Sequence, residues 1–143
     1  MRSRNFRLAA MVGGAVVFTA ALIYLTPLKH LNVIEPAIKD IAPREFYEEF
    51  RNDPARFVFV DVRPAEVYNR GHAEGSINIP LHQLYTERRY LPKSGREIVL
   101  ICSGGSASGV AYGYLEHYGF LNLRRIEGGI EAWEAAGLPT ASR

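Results

Sequence analysis

Cysteine is almost missing from this sequence: Cys102 is the only one in 143 residues. A lone thiol excludes an intrachain disulfide framework and any zinc site built on several cysteines. An excess of one charge is missing too. The formal net charge of +2 is too small to mark a nucleic-acid binder. Arg2, Arg4 and Arg7 supply three of the 17 basic residues, and the other 14 face 15 acidic ones. The pI near 8.8 therefore belongs to a basic tip, not to a basic surface. No acid precedes Glu35, and no repeat or low-complexity stretch is present. No second histidine or cysteine stands at metal-ligand spacing from His72, so neither a metal nor another cofactor is expected. What remains is 48% hydrophobic and 22% charged residues, the composition of one folded domain of ordinary size.

Residues 8–28 carry no charge across 21 positions. As a helix this run is about 30 Å long, the thickness of a bilayer's hydrocarbon. A cleaved signal has an apolar core of about 7–15 residues, whereas here Leu22-Ile23-Tyr24-Leu25 prolongs the run past Thr19-Ala20-Ala21. The expectation is an uncleaved single-pass anchor, with secretion after cleavage as the alternative. The run is too continuous for the amphipathic helix of a mitochondrial presequence. Basic residues favour the cytoplasmic side. Residues 1–7 are thus expected inside and the domain outside the cytoplasm, in the periplasm of a bacterium. Residues 29–36 read as a tether, and residues 37–143 as the folded domain.

The rest of the chain alternates apolar runs with amphipathic ones. Phe57-Val58-Phe59-Val60-Asp61-Val62 and Ile98-Val99-Leu100-Ile101-Cys102 read as strands buried on both faces. Residues 76–80 predict a shorter strand, 123–126 a weaker one, and 38–41 an edge strand. Helices are predicted over 43–50, opened by Pro43, over 108–117, and over 130–136, closed by Gly137 and Pro139. Strands alternating with helices predict an α/β domain with a mainly parallel sheet and helices on both faces.

In such a sheet, ligands bind beyond the carboxyl ends of the strands. Asp61 and Cys102 both end buried strands. Cys102 is followed by Ser103, Gly104, Gly105, Ser106, Ala107 and Ser108, small residues that lead directly into a helix. Small side chains let the backbone curl so that successive N–H groups point inward and hold an anion. The helix start adds unpaired N–H groups and the positive end of its dipole. A thiolate at the mouth of such a loop is stabilised. Against this stands the plain reading of Cys102 as a small core residue. The loop is no nucleotide cradle, since no lysine follows Gly109.

Three stretches together resemble the rhodanese-like family. They are Asp61-Val62-Arg63 with Glu66, Tyr68, Gly71, His72, Gly75 and Asn78-Ile79-Pro80; the Cys102 loop; and Glu127-Gly128-Gly129-Ile130-Glu131-Ala132-Trp133 with Gly137 and Pro139. The resemblance implies a five-stranded parallel sheet flanked by helices. It also implies a sulfurtransferase: Cys102 takes a sulfane sulfur from a small donor such as thiosulfate, becomes a persulfide, and passes the sulfur to a thiol or cyanide. The backbone from Ser103 to Ser108 would hold the anion. The family's loop often reads Cys-x-x-Gly-x-Arg-Ser; Gly105 and Ser108 fit, while Ala107 stands at the arginine position. That departure predicts a weaker grip on a dianion, and it keeps open a non-catalytic module that docks a protein partner at the membrane. Asp61 and Arg63 carry two readings. Either Asp61 borders the pocket and tunes its charge, or it caps a loop while Arg63 pairs with Glu66. His72 reads as scaffold in a turn, Trp133 as packing, Arg88, Arg89 and Lys93 as a basic cluster, and Tyr114 and Tyr118 as cover for the sheet.

Overall fold

The computed structural model describes residues 38–142. The apolar run 8–28 lies outside them. Among the described residues no helix is long and apolar enough to cross a membrane. The described residues form seven strands and five α-helices, in the order β1 Asp40–Ile41, α1 Pro43–Asn52, β2 Phe57–Asp61, α2 Ala65–Arg70, β3 His72–Ala73, β4 Ile77–Asn78, α3 Leu81–Glu87, β5 Glu97–Ile101, α4 Ser106–His117, β6 Leu123–Ile126, α5 Gly129–Ala135 and β7 Thr140–Ala141. Five strands form one sheet in the order β1-β6-β5-β2-β4, with every neighbouring pair parallel. The strands predicted over 57–62, 98–102 and 123–126 and the three predicted helices are present within two residues at each end. The strand predicted over 76–80 shrinks to two residues. Ser76 Oγ turns back to the Ala73 carbonyl at 2.7 Å, and Pro80 caps the start of α3. His72 is not in a simple turn: it pairs antiparallel with Ala141 in a small second sheet.

The two-residue period of a strand decides which side chain faces which helix layer. Val58 and Val60 of β2, with Ile98 and Leu100 of β5, pack under α3 and α4 against Leu84, Ala111 and Leu115. Phe57, Phe59, Val99 and Ile101 point the other way, under α1 and α5, against Phe46, Ile130 and Trp133. Trp133 is fully buried, as its packing role requires. Continuing the alternation past β5 places Cys102 on the α3–α4 side of the sheet. The side-chain period along β5 thus fixes the face on which Cys102 stands.

Arg124 of β6 ties the sheet to α1. Its Nη2 donates to Glu49 Oε2 at 2.7 Å and to Glu97 Oε2 at 2.8 Å. The hydrogen bond from Arg124 holds the Glu49 carboxyl below its ordinary value of 4.5. A carboxyl lowered in this way adds stability above that value and loses it as pH falls through the lowered one. Below about pH 4.5 the urea midpoint of the wild type is therefore expected to fall more steeply than that of Glu49→Gln. The Glu49 side chain is 31% exposed, so the difference is at most about 1 kcal/mol. Parallel pH profiles would show that the pair contributes nothing.

Candidate active site

β2 and β5 are neighbours, and the chain leaves them toward opposite edges of the sheet: β2 pairs with β4, β5 with β6. The crevice at their carboxyl ends is the point where α/β sheets bind ligands. A pocket of about 580 Å³ opens there, lined by Val62, Arg63, Pro64, Pro80, Leu81, His82 and the Cys102 loop. The structure brings Cys102, Ser103, Gly104, Ser106 and Ala107 together on its wall. Gly105 and Ser108 stand behind them, buried.

Cys102 is only 1% exposed, yet its sulfur has polar neighbours. The Gly105 N–H donates to Sγ at 3.1 Å, and Ser108 Oγ lies 3.3 Å away. Ser108 Oγ also donates to the Gly105 carbonyl at 3.0 Å. A hydroxyl has one proton, so while it serves Gly105 the S–H donates to Oγ. When the thiol ionises, that hydroxyl can turn to the sulfur. Gly105 O is not orphaned by the turn, because Arg125 Nη1 donates to it at 3.1 Å and Gly109 N–H at 3.0 Å. Ser108 is thereby a proton-sensitive partner of the sulfur, and its burial fixes it there.

The rest of the loop is oriented by its carbonyls. Cys102 O accepts from Ile130 N–H at 2.7 Å, and Ser103 O from Glu131 N–H at 3.2 Å, both in the first turn of α5. In a planar trans peptide the N–H points opposite to the C=O. Tying the carbonyls of Cys102, Ser103 and Gly105 outward thus turns the N–H groups of Ser103, Gly104 and Ser106 the other way, where these residues line the pocket. Among the loop amides, the N–H of Gly105 donates directly to the sulfur. The hydroxyls of Ser103 and Ser106 make no contact with it, and both residues are exposed.

Asp61 and Arg63 settle into a third arrangement that keeps only the loop cap of the second reading. Asp61 is fully buried and does not line the pocket; it accepts the Arg63 N–H at 2.9 Å, the loop cap foreseen from the sequence. Arg63 pairs with Asp61 and not with Glu66: Nη2 reaches Oδ2 at 2.6 Å and the Gly71 carbonyl at 2.8 Å. The side chain lines the pocket, but its guanidinium is engaged below. His72 is scaffold, with Nδ1 donating to the Tyr68 carbonyl at 2.9 Å and its ring stacked on Tyr68.

Sequence reasoning did not single out Arg125. It stands on β6, behind the loop, held by Asp40 at 2.6 and 2.8 Å. These bonds raise its pKa, and the Cys102 sulfur adds to the effect. Arg125 therefore supplies a fixed positive charge from outside the pocket, while inside it Ala107 brings none and Arg63 is paired with Asp61. Glu131 adds the opposite sign: its carboxylate comes within 3.6 Å of where a Gly104 side chain would begin. Among the described residues no cluster of three or more His, Cys, Asp or Glu is placed to hold a metal ion.

A family model described as "Rhodanese-like domain" matches residues 42–136. An adenylyltransferase and sulfurtransferase of Arabidopsis thaliana is 31% identical over 133 residues, covering 82% of this chain and 28% of that protein. A tRNA uridine(34) hydroxylase of Pectobacterium carotovorum is 35% identical over 94 residues, covering 57% and 26%. The chain thus spans about a quarter of the length of these two relatives. A thiosulfate sulfurtransferase of Actinobacillus succinogenes is 28% identical over 103 residues, covering 72% of this chain and 90% of that protein. Among solved structures, a rhodanese-related protein of Thermoplasma volcanium superposes with a TM-score of 0.65 at 28% identity, over 73% of this chain and 99% of that one. A rhodanese-like domain from Anabaena gives 0.67 at 28% identity, over 77% and 81%.

Proposed function

The chain belongs to the rhodanese-like domain family, and we propose that it transfers sulfane sulfur through a persulfide on Cys102. The observation that carries this reading is the sulfur at the pocket floor, with the Gly105 N–H and the Ser108 hydroxyl on it. The thiolate attacks the outer sulfur of a donor such as thiosulfate. The donor's S–S bond breaks, its electron pair leaves with sulfite, and Cys102 becomes a persulfide. A thiolate or cyanide then attacks the outer sulfur and restores the thiolate. No electron is gained or lost overall, and no base is needed once the thiol is ionised. Residues 8–28 tether the domain outside the cytoplasm; their charge-free run and the arginines before it support this placement.

The test is intact mass after exposure of the full chain to thiosulfate. One added sulfur on Cys102, removed by cyanide with release of thiocyanate, is expected. An unchanged mass with thiosulfate and with organic persulfides would overturn the reading. The pocket also makes a quantitative statement about the donor. Its one arginine, Arg63, is bound by Asp61, and Glu131 stands beside Gly104. A dianion meets little positive charge here. Ala107→Arg is expected to raise kcat/KM for thiosulfate about tenfold or more, since a charged hydrogen bond is worth about 1.5–3 kcal/mol. An organic persulfide should gain much less.

A further inference from the structure

Two features of the sequence stand outside the sulfur site: the basic trio Arg88, Arg89 and Lys93, and the tyrosines Tyr114 and Tyr118. The fold sets them at the far end of the face that carries Cys102. Ala107, Val110, Tyr114 and Tyr118 follow one another at spacings of three and four along α4 and its cap, so they form one stripe. At 1.5 Å per residue this stripe is about 16 Å long. α3 runs beside it, and three recesses occupy the valley between. The first is the Cys102 pocket, bounded by Leu81 and His82. The second, about 360 Å³, shares Leu81 and His82 and adds Tyr85, Val110 and Tyr114. The third, about 610 Å³, shares Tyr85 and continues to Arg88, Arg89, Lys93 and Tyr118. The residues they share set the three end to end, a row of recesses, here called the groove, from the sulfur to the basic trio.

The groove is apolar in its middle and cationic at its end. Tyr85 and Val110 are 59% and 63% exposed. The Arg88 guanidinium lies 4.1 Å from the Tyr118 ring centroid and within 6 Å of Tyr85 and Tyr114. Its Nη1 donates to the Tyr85 carbonyl. Lys93 Nζ donates to the Tyr118 carbonyl at 2.8 Å. Among the described residues the ion pairs belong to Arg63, Arg124 and Arg125. Arg88, Arg89 and Lys93 therefore present three charges without a carboxylate, at least one of them held in place on aromatic faces.

We propose that this groove docks an extended acidic segment of a protein partner, whose thiol or persulfide exchanges sulfur with Cys102; the proposal rests on the sulfur-transfer reading above. Tyrosine and arginine are the side chains that protein interfaces favour. A small anionic thiol would occupy the first recess and leave the other two empty. A lipid surface would meet the ridges and not a concave valley that leads to a thiol. An extended chain rises about 3.3 Å per residue, so about 16 Å places acidic residues roughly five positions from the reacting sulfur. When the partner brings a persulfide, the Cys102 thiolate attacks the outer sulfur, the partner's S–S bond breaks, and the partner leaves as a thiolate. The reverse step runs with the roles exchanged.

The experiment uses the full chain and a fluorescein-labelled synthetic peptide with a Glu-Asp-Glu cluster about five residues from a serine, read by fluorescence anisotropy. A second peptide carries lysines in place of the cluster. The acidic peptide is expected to bind at least about tenfold more tightly than the lysine peptide at low salt, and added salt should weaken it. The combined variant Arg88→Glu, Arg89→Glu, Lys93→Glu should reverse the preference. Val110→Glu, a change at an exposed position in the middle of the groove, should also weaken the acidic peptide. With cysteine persulfide in place of the serine, the acidic peptide should load Cys102 faster than the lysine peptide, by intact mass. Free cysteine persulfide should load the wild type and the combined variant equally. Equal binding of both peptides, or binding of phosphatidylglycerol vesicles in place of the acidic peptide, would overturn the docking proposal while free persulfide still loaded Cys102. Binding of the acidic peptide with no loading from any donor would support the groove and overturn sulfur transfer instead.

Discussion

Cys102→Ser is expected to keep the fold and lose the persulfide entirely. The sulfur sits among Val62, Leu100, Ala111 and their neighbours, and a hydroxyl fills nearly the same space. The Gly105 N–H that donates to Sγ still finds an oxygen to accept it. The cost to stability is therefore small, about 1 kcal/mol, the scale of near-isosteric changes in a core. The effect on chemistry is of another order. A serine hydroxyl at neutral pH carries almost no negative charge, and the polar groups placed on Sγ, the Gly105 N–H and the Ser108 hydroxyl, are not bases that could make one. Thiosulfate:cyanide activity should fall to the uncatalysed rate, a loss on the order of a thousandfold or more for a missing nucleophile. Intact mass after thiosulfate and a urea midpoint on the same sample separate the two effects. A variant that folds and still transfers sulfur would remove Cys102 from the mechanism.

The parts of the fold legible in the sequence were those whose burial is complete. β2 and β5 run through the centre of the sheet, so both faces are apolar and every residue of 57–61 is buried. Their runs stand out without any knowledge of the partner strands. β4 lies at the edge with Ile77 48% exposed, and a run that is half wet looks longer than the strand it makes. α2 and α3 have six and seven residues, too short for a helical period to show. The pairing of His72 with Ala141 joins segments far apart in sequence through two residues on each side, and nothing local marks it.

The same division runs through the site. Cys102 and the loop to Ser108 are contiguous, so one stretch of sequence discloses them. Ser108 was legible as a loop residue, and its place 3.3 Å from the sulfur follows from the first turn of α4 folding back over the strand end. Arg125 comes to the loop because β6 lies beside β5, and strand order is not written in either segment. The pairing of Arg63 with Glu66, one of the two readings, fails for a related reason. Glu66 is near in sequence but starts α2, whereas Asp61 ends β2, where its carboxylate faces inward and takes both the backbone N–H and the guanidinium of Arg63. A buried carboxylate needs such partners more than a surface glutamate does.

Gly129→Ala is expected to damage the site far more than Gly128→Ala, although both glycines have left-handed φ values, +63° and +67°. Each substitution incurs the left-handed cost of an L side chain, about 1–2 kcal/mol. What the new methyl meets differs. At Gly128 it comes within 2.7 Å of the Ala132 Cβ, a contact inside α5. At Gly129 it comes within 2.3 Å of Cys102 O and 2.4 Å of Ser103 O, backbone atoms of the loop itself. Backbone cannot swing aside as a side chain does, so the loop or α5 must move, adding about 1–3 kcal/mol. The movement also breaks the bonds from Ile130 and Glu131 that turn the loop carbonyls outward. Without them the amides of Ser103 and Gly104 no longer face the pocket, and the Gly105 N–H shifts from the sulfur. Both variants should show lowered urea midpoints, with Gly129→Ala destabilised by several kcal/mol in all. Normalised to folded protein, the rate of persulfide formation should stay near wild type in Gly128→Ala and fall at least about tenfold in Gly129→Ala, the scale of one lost hydrogen bond to a charged group. Equal rates per folded molecule would mean that the grip of α5 on the loop serves stability alone, and that the amides are held by the loop's own turn.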